Sequence, residues 1–224
     1  MSKTKIAIQG ELGAYSHIAA ESLYKDAEIK TCATFEETFK YAYNDQNFKV
    51  VIPIENSLAG RVADIHYLLP KYKLQIHGEH FQAVEHNLLC KLEASIDDIK
   101  FVRSHAQAIG QCQNMINKRK FKPIISADTA GSAKDLAEGE DKSIAAIASE
   151  LSAKIYNLKI LEKNIEDEKG NVTRFLIMGK NIEQPEFSKN KKFITSCIFR
   201  VKSEPSALYK CLGGFATNQV NLSL

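Results

Sequence analysis

The chain has 224 residues, 44% hydrophobic and 25% charged, with a formal net charge of +3. That length supplies one large domain or two smaller ones, and basic residues dense only at 118–120 and 189–192 argue against nucleic-acid binding. No window reaches the ~20 apolar residues of a membrane span, the N-terminus carries no signal-peptide core, and five cysteines without a CxxC read as free thiols of a reducing, cytoplasmic compartment.

Short apolar runs alternate with helical patterns. Residues 5–9 (KIAIQ) predict a strand and 10–13 a turn. Residues 16–24 predict a helix with Ala19, Ala20 and Leu23 on one face. A second strand near 29–32 leads into Thr34-Phe35-Glu36-Glu37, a capping box in which the Thr34 hydroxyl takes the free N–H of Glu37 and Glu37 reaches back. The helix that follows places Phe35, Phe39 and Ala42 at i, i+4 and i+7. Residues 50–54 form the next strand and end in Glu55-Asn56-Ser57, an acid, an amide and a hydroxyl in a row.

Residues 74–81 and 83–91 look extended. Strands at 100–103, 123–126 and 143–147 then precede helices that open at Ser104, open near Thr129, and end near Asn157. Residues 158–163 and 173–178 read as two strands around a turn at Lys169-Gly170-Asn171. Such alternation implies an α/β fold with a largely parallel sheet. A complete βαβαβα block between the two β-rich crossings implies two lobes, with ligands expected in the cleft at the strands' C-terminal ends. Residues 184–192 (QPEFSKNKK) read as a linker. Residues 193–201 predict an alternating strand, 205–215 a helix, and 219–224 the start of another strand. A β-α-β fragment of that size is expected to lean on something else to bury a core.

Hydroxyls and amides recur at the strand ends: Tyr15-Ser16, Glu55-Asn56-Ser57, Ser104-His105 with Gln107 and Gln111, Asp128-Thr129-Ala130-Gly131-Ser132, and Asn171-Val172-Thr173-Arg174-Phe175. Helix N-termini bring unpaired N–H groups and partial positive charge, so several aimed at one cleft suit a carboxylate. The set contains no P-loop, no GxGxxG and no Ser–His–Asp spacing. It offers neutral donors and one arginine, which suits binding a small anion and helping a leaving group depart. Each residue also has a plain structural reading. Ser104 and Thr129 are ordinary N-caps, Thr173 is a good β-former, Glu55 is a surface acid, and Arg174 is a charge on the opposite strand face. His77, Glu79, His80, Glu85 and His86 cluster in sequence, but His77 and His80 fall on opposite strand faces, so no metal site is expected. Cys112 has no partner that would mark a nucleophile.

The pattern resembles the prephenate dehydratase family. The matching segments are Gly10-Glu-Leu-Gly-Ala-Tyr-Ser16, Pro53-Ile-Glu-Asn-Ser57 with Gly60, and Ser104-His-Ala-Gln-Ala-Ile-Gly-Gln-Cys112. They continue with Asp128-Thr-Ala-Gly-Ser-Ala133, Ala145-Ala-Ile-Ala-Ser149 and Asn171-Val-Thr-Arg-Phe175. The resemblance covers nearly all of residues 5–180. It implies a two-lobed, periplasmic-binding-protein-like (type II) catalytic domain over residues 1–183, with lobe one at 1–78 and 158–183 and lobe two at 79–157. It further implies a linker at 184–192 and an incomplete ferredoxin-like ACT domain at 193–224.

By the same resemblance, prephenate loses carbon dioxide and water to give phenylpyruvate, with no cofactor and no metal. Catalysis is assigned to Thr173, Glu55, Asn56, Ser104 and Gln111. Substrate contacts are assigned to Ser16, Ser57, His105, Thr129, Ala130, Arg174 and Phe175. Phenylalanine is implied as an allosteric inhibitor and a homodimer as the assembly, although the ACT loop reads Ser206-Ala207-Leu208 where the family has Gly-Ala-Leu. Arogenate, which carries an amino group in place of prephenate's keto group, is the alternative substrate. A sensor on the same scaffold is the alternative function.

Overall fold

The computed structural model describes residues 3–181, 186, 188–190 and 193–222. The chain divides into two units, Met1–Glu183 and Gln184–Leu224. The first unit opens with β1 (Lys5–Gln9), α1 (Tyr15–Leu23), β2 (Glu28–Cys32), α2 (Phe35–Asn44), β3 (Phe48–Asn56), β4 (Gly60–Arg61), α3 (Ala63–Tyr72) and β5 (Gln75–Ala83). It continues with β6 (Asn87–Cys90), β7 (Phe101–His105), α4 (Ala106–Gly110), α5 (Gln113–Arg119), β8 (Lys122–Ser126), α6 (Thr129–Glu138), β9 (Ile144–Ala148), α7 (Glu150–Ile155), β10 (Lys159–Glu162) and β11 (Val172–Gly179).

These strands build two mixed sheets. The first has the order β2-β1-β3-β11-β5, with β4 added to β3, and the second has the order β10-β6-β9-β7-β8. The expected two-lobed α/β architecture is present. Within each sheet the parallel pairs are the βαβ neighbours, β1 with β2 and β3, and β7 with β8 and β9. The strands on either side of the crossovers run antiparallel to their neighbours. Each sheet is buried on both faces, which is why its central strands are apolar runs such as Val50-Val51-Ile52 and Ala145-Ala146-Ile147-Ala148, all fully buried. Ile52 faces a core with Phe39, Ile65 and Met178, and Val51 faces one with Ile6, Ala19 and Phe175.

The two strands expected at 158–163 and 173–178 both form, but they do not pair with each other. β10 pairs with β6 in the second sheet, while β11 sits between β3 and β5 in the first. Lobe one therefore comprises β1 to β5 with β11, and lobe two comprises β6 to β10. The chain crosses at 84–86 and again at 163–171. Periodicity reports which face of a strand is buried and not which strand lies beside it, so it could not assign each to its sheet. At the start of α2 the Glu37 N–H donates to Thr34 Oγ1 at 3.1 Å, but the Glu37 carboxylate accepts from Ala33 N, one residue earlier than a capping box requires.

In the second unit, α8 (Ala207–Thr217) occupies the place of the expected helix. The predicted strand at 193–201 is absent: a strand exists only with a partner strand, and none is supplied among the described residues of this unit. Residues 219–222 form no strand either, the Gln219 and Val220 N–H groups donating back to Ala216 O and Phe215 O at the end of the helix. Residues 223–224, and residues 184, 185, 187, 191 and 192 of the expected linker, lie outside the described residues.

Candidate active site

Between the two sheets lies a cleft of about 500 Å³, within the ~300–1,000 Å³ typical of small-molecule sites. The run Glu55-Asn56-Ser57 ends β3 at its floor. Asn56 turns its carbonyl oxygen back to accept the N–H groups of Leu58 (3.0 Å) and Ala59 (2.8 Å), an Asx turn that shapes the β3–β4 loop. This fixes the orientation of the amide. Its Nδ2 must face the cleft, where it donates to Asn171 Oδ1 at 2.6 Å and to Thr173 Oγ1 at 2.9 Å. The Thr173 oxygen is thus an acceptor from Asn56, and its own proton is left free to donate to whatever occupies the cleft.

The same logic propagates. Asn171 donates from Nδ2 to Gln111 Oε1 at 3.0 Å, so that oxygen is an acceptor, and His86 Nε2 lies 2.9 Å from it. His86 must therefore carry its proton on Nε2. The opposite ring nitrogen lies 3.1 Å from the Tyr15 hydroxyl. One chain of directed hydrogen bonds runs from two backbone amides, through three side-chain amides, to an imidazole, and it joins both lobes. Ser57 clamps its far end: its N–H donates to Val172 O (2.9 Å) and its hydroxyl accepts from Val172 N (3.0 Å), which pins the turn before Thr173.

Of the residues expected in the site, Thr173, Asn56, Gln111, Ser16, His105, Thr129 and Phe175 line the cleft. Glu55, Ser57, Ala130, Ser104 and Arg174 do not. Ser57 acts on the backbone, as described. Ala130 is fully buried in the first turn of α6. Glu55 sits in register with Arg61 and Arg174, next to Asn56 on β3. Ser104 does not open a helix. β7 pairs with β8 through His105, so Ser104 is an interior strand residue, fully buried, and its hydroxyl donates to Ile147 O at 2.7 Å, just beyond the last β7–β9 pair. His105 is the N-cap instead, accepting from Gln107 N. Arg174 is spent on Glu79, with contacts of 2.8 and 2.6 Å. The arginine that does line the cleft is Arg61, which the sequence reading missed although it follows the Gly60 of a quoted motif. Tyr15 and His86 were also passed over as site residues. The Tyr15-Ser16 pair was quoted, but only the three-dimensional crossover at 84–86 brings His86 to it.

The electrostatics favour an anion. α1 and α3 both begin at the cleft, and their N-cap positions are Ala14 and Val62, which have no side-chain acceptor for the first N–H groups. At α6 the N-cap is Asp128 and not the expected Thr129, which is the first helical residue: the Asp128 carboxylate accepts from Gly131 N at 2.6 Å. Cys112 is fully buried, and burial, with Asp167 and Glu166 nearby, pushes its thiol far above the ordinary range. It is no nucleophile at neutral pH.

Burial also holds the imidazoles of His17, His77 and His86 below the ordinary value of 6.5. His17 accepts the Gly13 N–H on Nδ1 at 2.9 Å, a bond that protonation would break. In the window between the folded and unfolded pKa values the unfolded chain binds more protons, so stability falls as pH drops through about 6.5. The urea midpoint is expected to be lower at about pH 5.5 than at 7.5, and the decline to be shallower in His17→Gln. Equal midpoints at the two pH values in the wild type would contradict this.

Comparison with known proteins shows the family. Residues 6–183 match the family model "Prephenate dehydratase". The chain is 40% identical over 222 residues to arogenate dehydratase/prephenate dehydratase 2, chloroplastic, of Arabidopsis thaliana, covering 99% of this chain and 58% of that protein. It is 38% identical over 217 residues to the prephenate dehydratase of Methanocaldococcus jannaschii, covering 94% and 77%. The crystal structure of an Arthrobacter aurescens prephenate dehydratase in complex with L-Phe superposes with a TM-score of 0.87 at 24% identity, covering 98% of this chain and 74% of that one. The chain thus spans little more than half the length of the plant relative.

Proposed function

Since the chain belongs to the prephenate dehydratase family, we propose that it converts prephenate into phenylpyruvate, on the route to phenylalanine. The observation that carries this reading is the Thr173 hydroxyl, with its oxygen occupied by Asn56 and its proton free, in a cleft into which two uncapped helices aim their N-termini.

Prephenate carries two carboxylates and a ring hydroxyl. Breaking the bond to the ring carboxylate releases carbon dioxide. The electron pair moves into the ring and expels the hydroxyl group as hydroxide, leaving an aromatic ring. The driving force resides in the substrate, so the protein has to orient it, screen its charges and ease the departure of hydroxide. The free N–H groups at the starts of α1 and α3 receive the carboxylates. Thr173 donates to the departing oxygen, and Asn56 and Asn171 hold Thr173 in line. Gln111 ties this assembly to lobe two. Phe175, on the same strand face as Thr173, gives the ring an apolar wall. Neither Glu55 nor Ser104 touches the substrate in this scheme; Ser104 supports β7 and Glu55 the β3–β4 hairpin.

Arogenate is the second substrate to test, because the plant relative is named for both activities. Residues 193–224 are read as part of an ACT module that responds to phenylalanine, in line with the L-Phe complex of the Arthrobacter protein. Exposed Ile194, Ile198, Leu208 and Val220 are the kind of surface that pairing with a second copy would cover. A cytoplasmic setting fits the free cysteines, of which Cys32, Cys90 and Cys112 are buried. Purified protein given prephenate at neutral pH is expected to form phenylpyruvate, with arogenate and its product phenylalanine measured alongside. Binding of prephenate without turnover of either compound would replace this reading with a sensor.

A further inference from the structure

Hydroxide expelled in the cleft must take up a proton, so each turnover converts one dianion and one proton into phenylpyruvate anion, carbon dioxide and water. Thr173 can polarise the departing oxygen, but a threonine hydroxyl is too weak an acid to be the net source. We propose that Tyr15 and His86 supply this proton, with Tyr15 as the group that delivers it and His86 as the group that replaces it. The inference rests on the dehydratase reading above.

Both side chains line the cleft, and the Tyr15 ring meets the His86 ring edge-on with centroids 5.8 Å apart. Their hydrogen bonds contain a mismatch that one additional proton removes. The Tyr15 hydroxyl has one proton and two acceptors within reach, Glu85 O at 2.7 Å and His86 Nδ1 at 3.1 Å. The amide chain anchored at Leu58 and Ala59 commits His86 Nε2 to donating to Gln111, so in neutral His86 the Nδ1 lone pair faces an oxygen whose proton is drawn to the closer carbonyl. Protonation at Nδ1 satisfies everything at once: Nδ1–H donates to the Tyr15 oxygen, Tyr15 donates to Glu85 O or into the cleft, and Nε2–H keeps Gln111.

In the step itself the Tyr15 O–H bond breaks as hydroxide leaves, and the O–H bond of water forms. The His86 Nδ1–H proton passes to the Tyr15 oxygen, leaving neutral His86, which takes its next proton from solvent. The charged groups around the pair fit this cycle. Burial holds the His86 ring below the ordinary imidazole range, while the Gln111 bond and the Glu166 carboxylate, which accepts the His86 backbone N–H at 3.0 Å, act in the opposite direction and favour the imidazolium. Burial of the ring, with Glu166, Cys112 and Glu85 nearby, disfavours a Tyr15 phenolate, so the proton Tyr15 gives up has to be replaced in the same event. Asp167, whose N–H donates to Gln111 O at 2.7 Å, completes the acidic surroundings. No cation is paired with either residue among the described residues.

The test is the pH dependence of kcat between about pH 5.5 and 8.5 for wild type, Tyr15→Phe and His86→Gln, with folding checked by circular dichroism. In the wild type kcat is expected to rise as pH falls across this range. Tyr15→Phe, which keeps the ring, should lower kcat about 100-fold or more while KM stays within about threefold. His86→Gln should keep measurable turnover but lose the pH-dependent limb. A Tyr15→Phe variant with wild-type kcat and an unchanged profile, beside an active wild type, overturns the pair alone. A folded wild type that forms no phenylpyruvate overturns the reaction and the pair's role with it.

Discussion

Replacing Thr173 with alanine is expected to lower kcat by about 10²–10³-fold, the usual loss when one preorganised donor to a developing oxyanion is removed. KM should move little, because Thr173 meets the substrate's hydroxyl group while the carboxylates are held by backbone N–H groups. Stability should also change little. Thr173 is 9% exposed on β11, flanked by Asn56 in register on β3 and Gln82 on β5, and alanine leaves the ladder intact. The decisive control is Thr173→Ser, which restores the hydroxyl and should recover kcat to within about tenfold of wild type. Steady-state kinetics on the three proteins decide the matter. An alanine variant as active as the wild type would remove Thr173 from the chemistry and leave Asn56 positioning nothing.

The second large effect concerns folding. Gly13, with φ +91°, closes the turn between β1 and α1, and this turn docks lobe one onto lobe two. Its carbonyl accepts from Ser149 Oγ at 2.6 Å and Ser152 Oγ at 3.1 Å, Leu12 O accepts from the Tyr156 hydroxyl at 3.0 Å, and Glu11 meets Lys134 at 3.1 Å. A Cβ added at Gly13 would lie 2.4 Å from Ser152 Oγ and 2.8 Å from Ser152 Cα. The hydroxyl can rotate away, but the backbone atom cannot. Gly13→Ala therefore combines positive-φ strain of about 1–3 kcal/mol with overpacking of a similar size, for a loss of roughly 2–6 kcal/mol. For a domain of this size the melting temperature should drop by about 5–15 °C. The control is Gly170→Ala, also at positive φ (+84°) but with open space around the added carbon, which should cost only the strain. Equal melting temperatures for the two variants would show that the close approach to Ser152 carries no energy.

Much of this was legible in the sequence, for identifiable reasons. The βαβ blocks declared themselves because strands buried on both faces read as continuous apolar runs, and because Thr34 and Thr129 sit where amphipathic stretches begin. Thr173, Asn56 and Gln111 were legible because polar side chains clustered at strand ends are costly without a use. Three things were not legible. Ser104 reads as a helix cap in any window of sequence; only the β7–β8 register shows that its strand runs one residue further. Arg174 and Arg61 are both arginines beside a quoted motif, and strand register decides which of them finds a carboxylate first. The partnership of Tyr15 with His86 spans 71 positions and is created by a crossover between lobes, so no local pattern could have announced it.

The docking turn at Gly13 also bears on how molecules enter and leave. The polar joints between the lobes gather in two places, around Gly13 with Ser149 and around Gln111 with Asn171, and both lie beside the chain crossovers. On the remaining rim, lobe one presents residues 59–63 and lobe two presents residues 105–108, with no hydrogen bond or ion pair between the two stretches among the described residues. The first unit is built like a bivalve whose ligament has been reinforced and whose margin is left unsealed. That margin is where entry and exit of substrate and product are expected, so sequence drift at residues 59–63 and 105–108 should retune their rates, while drift at Gly13 would strain the shell itself.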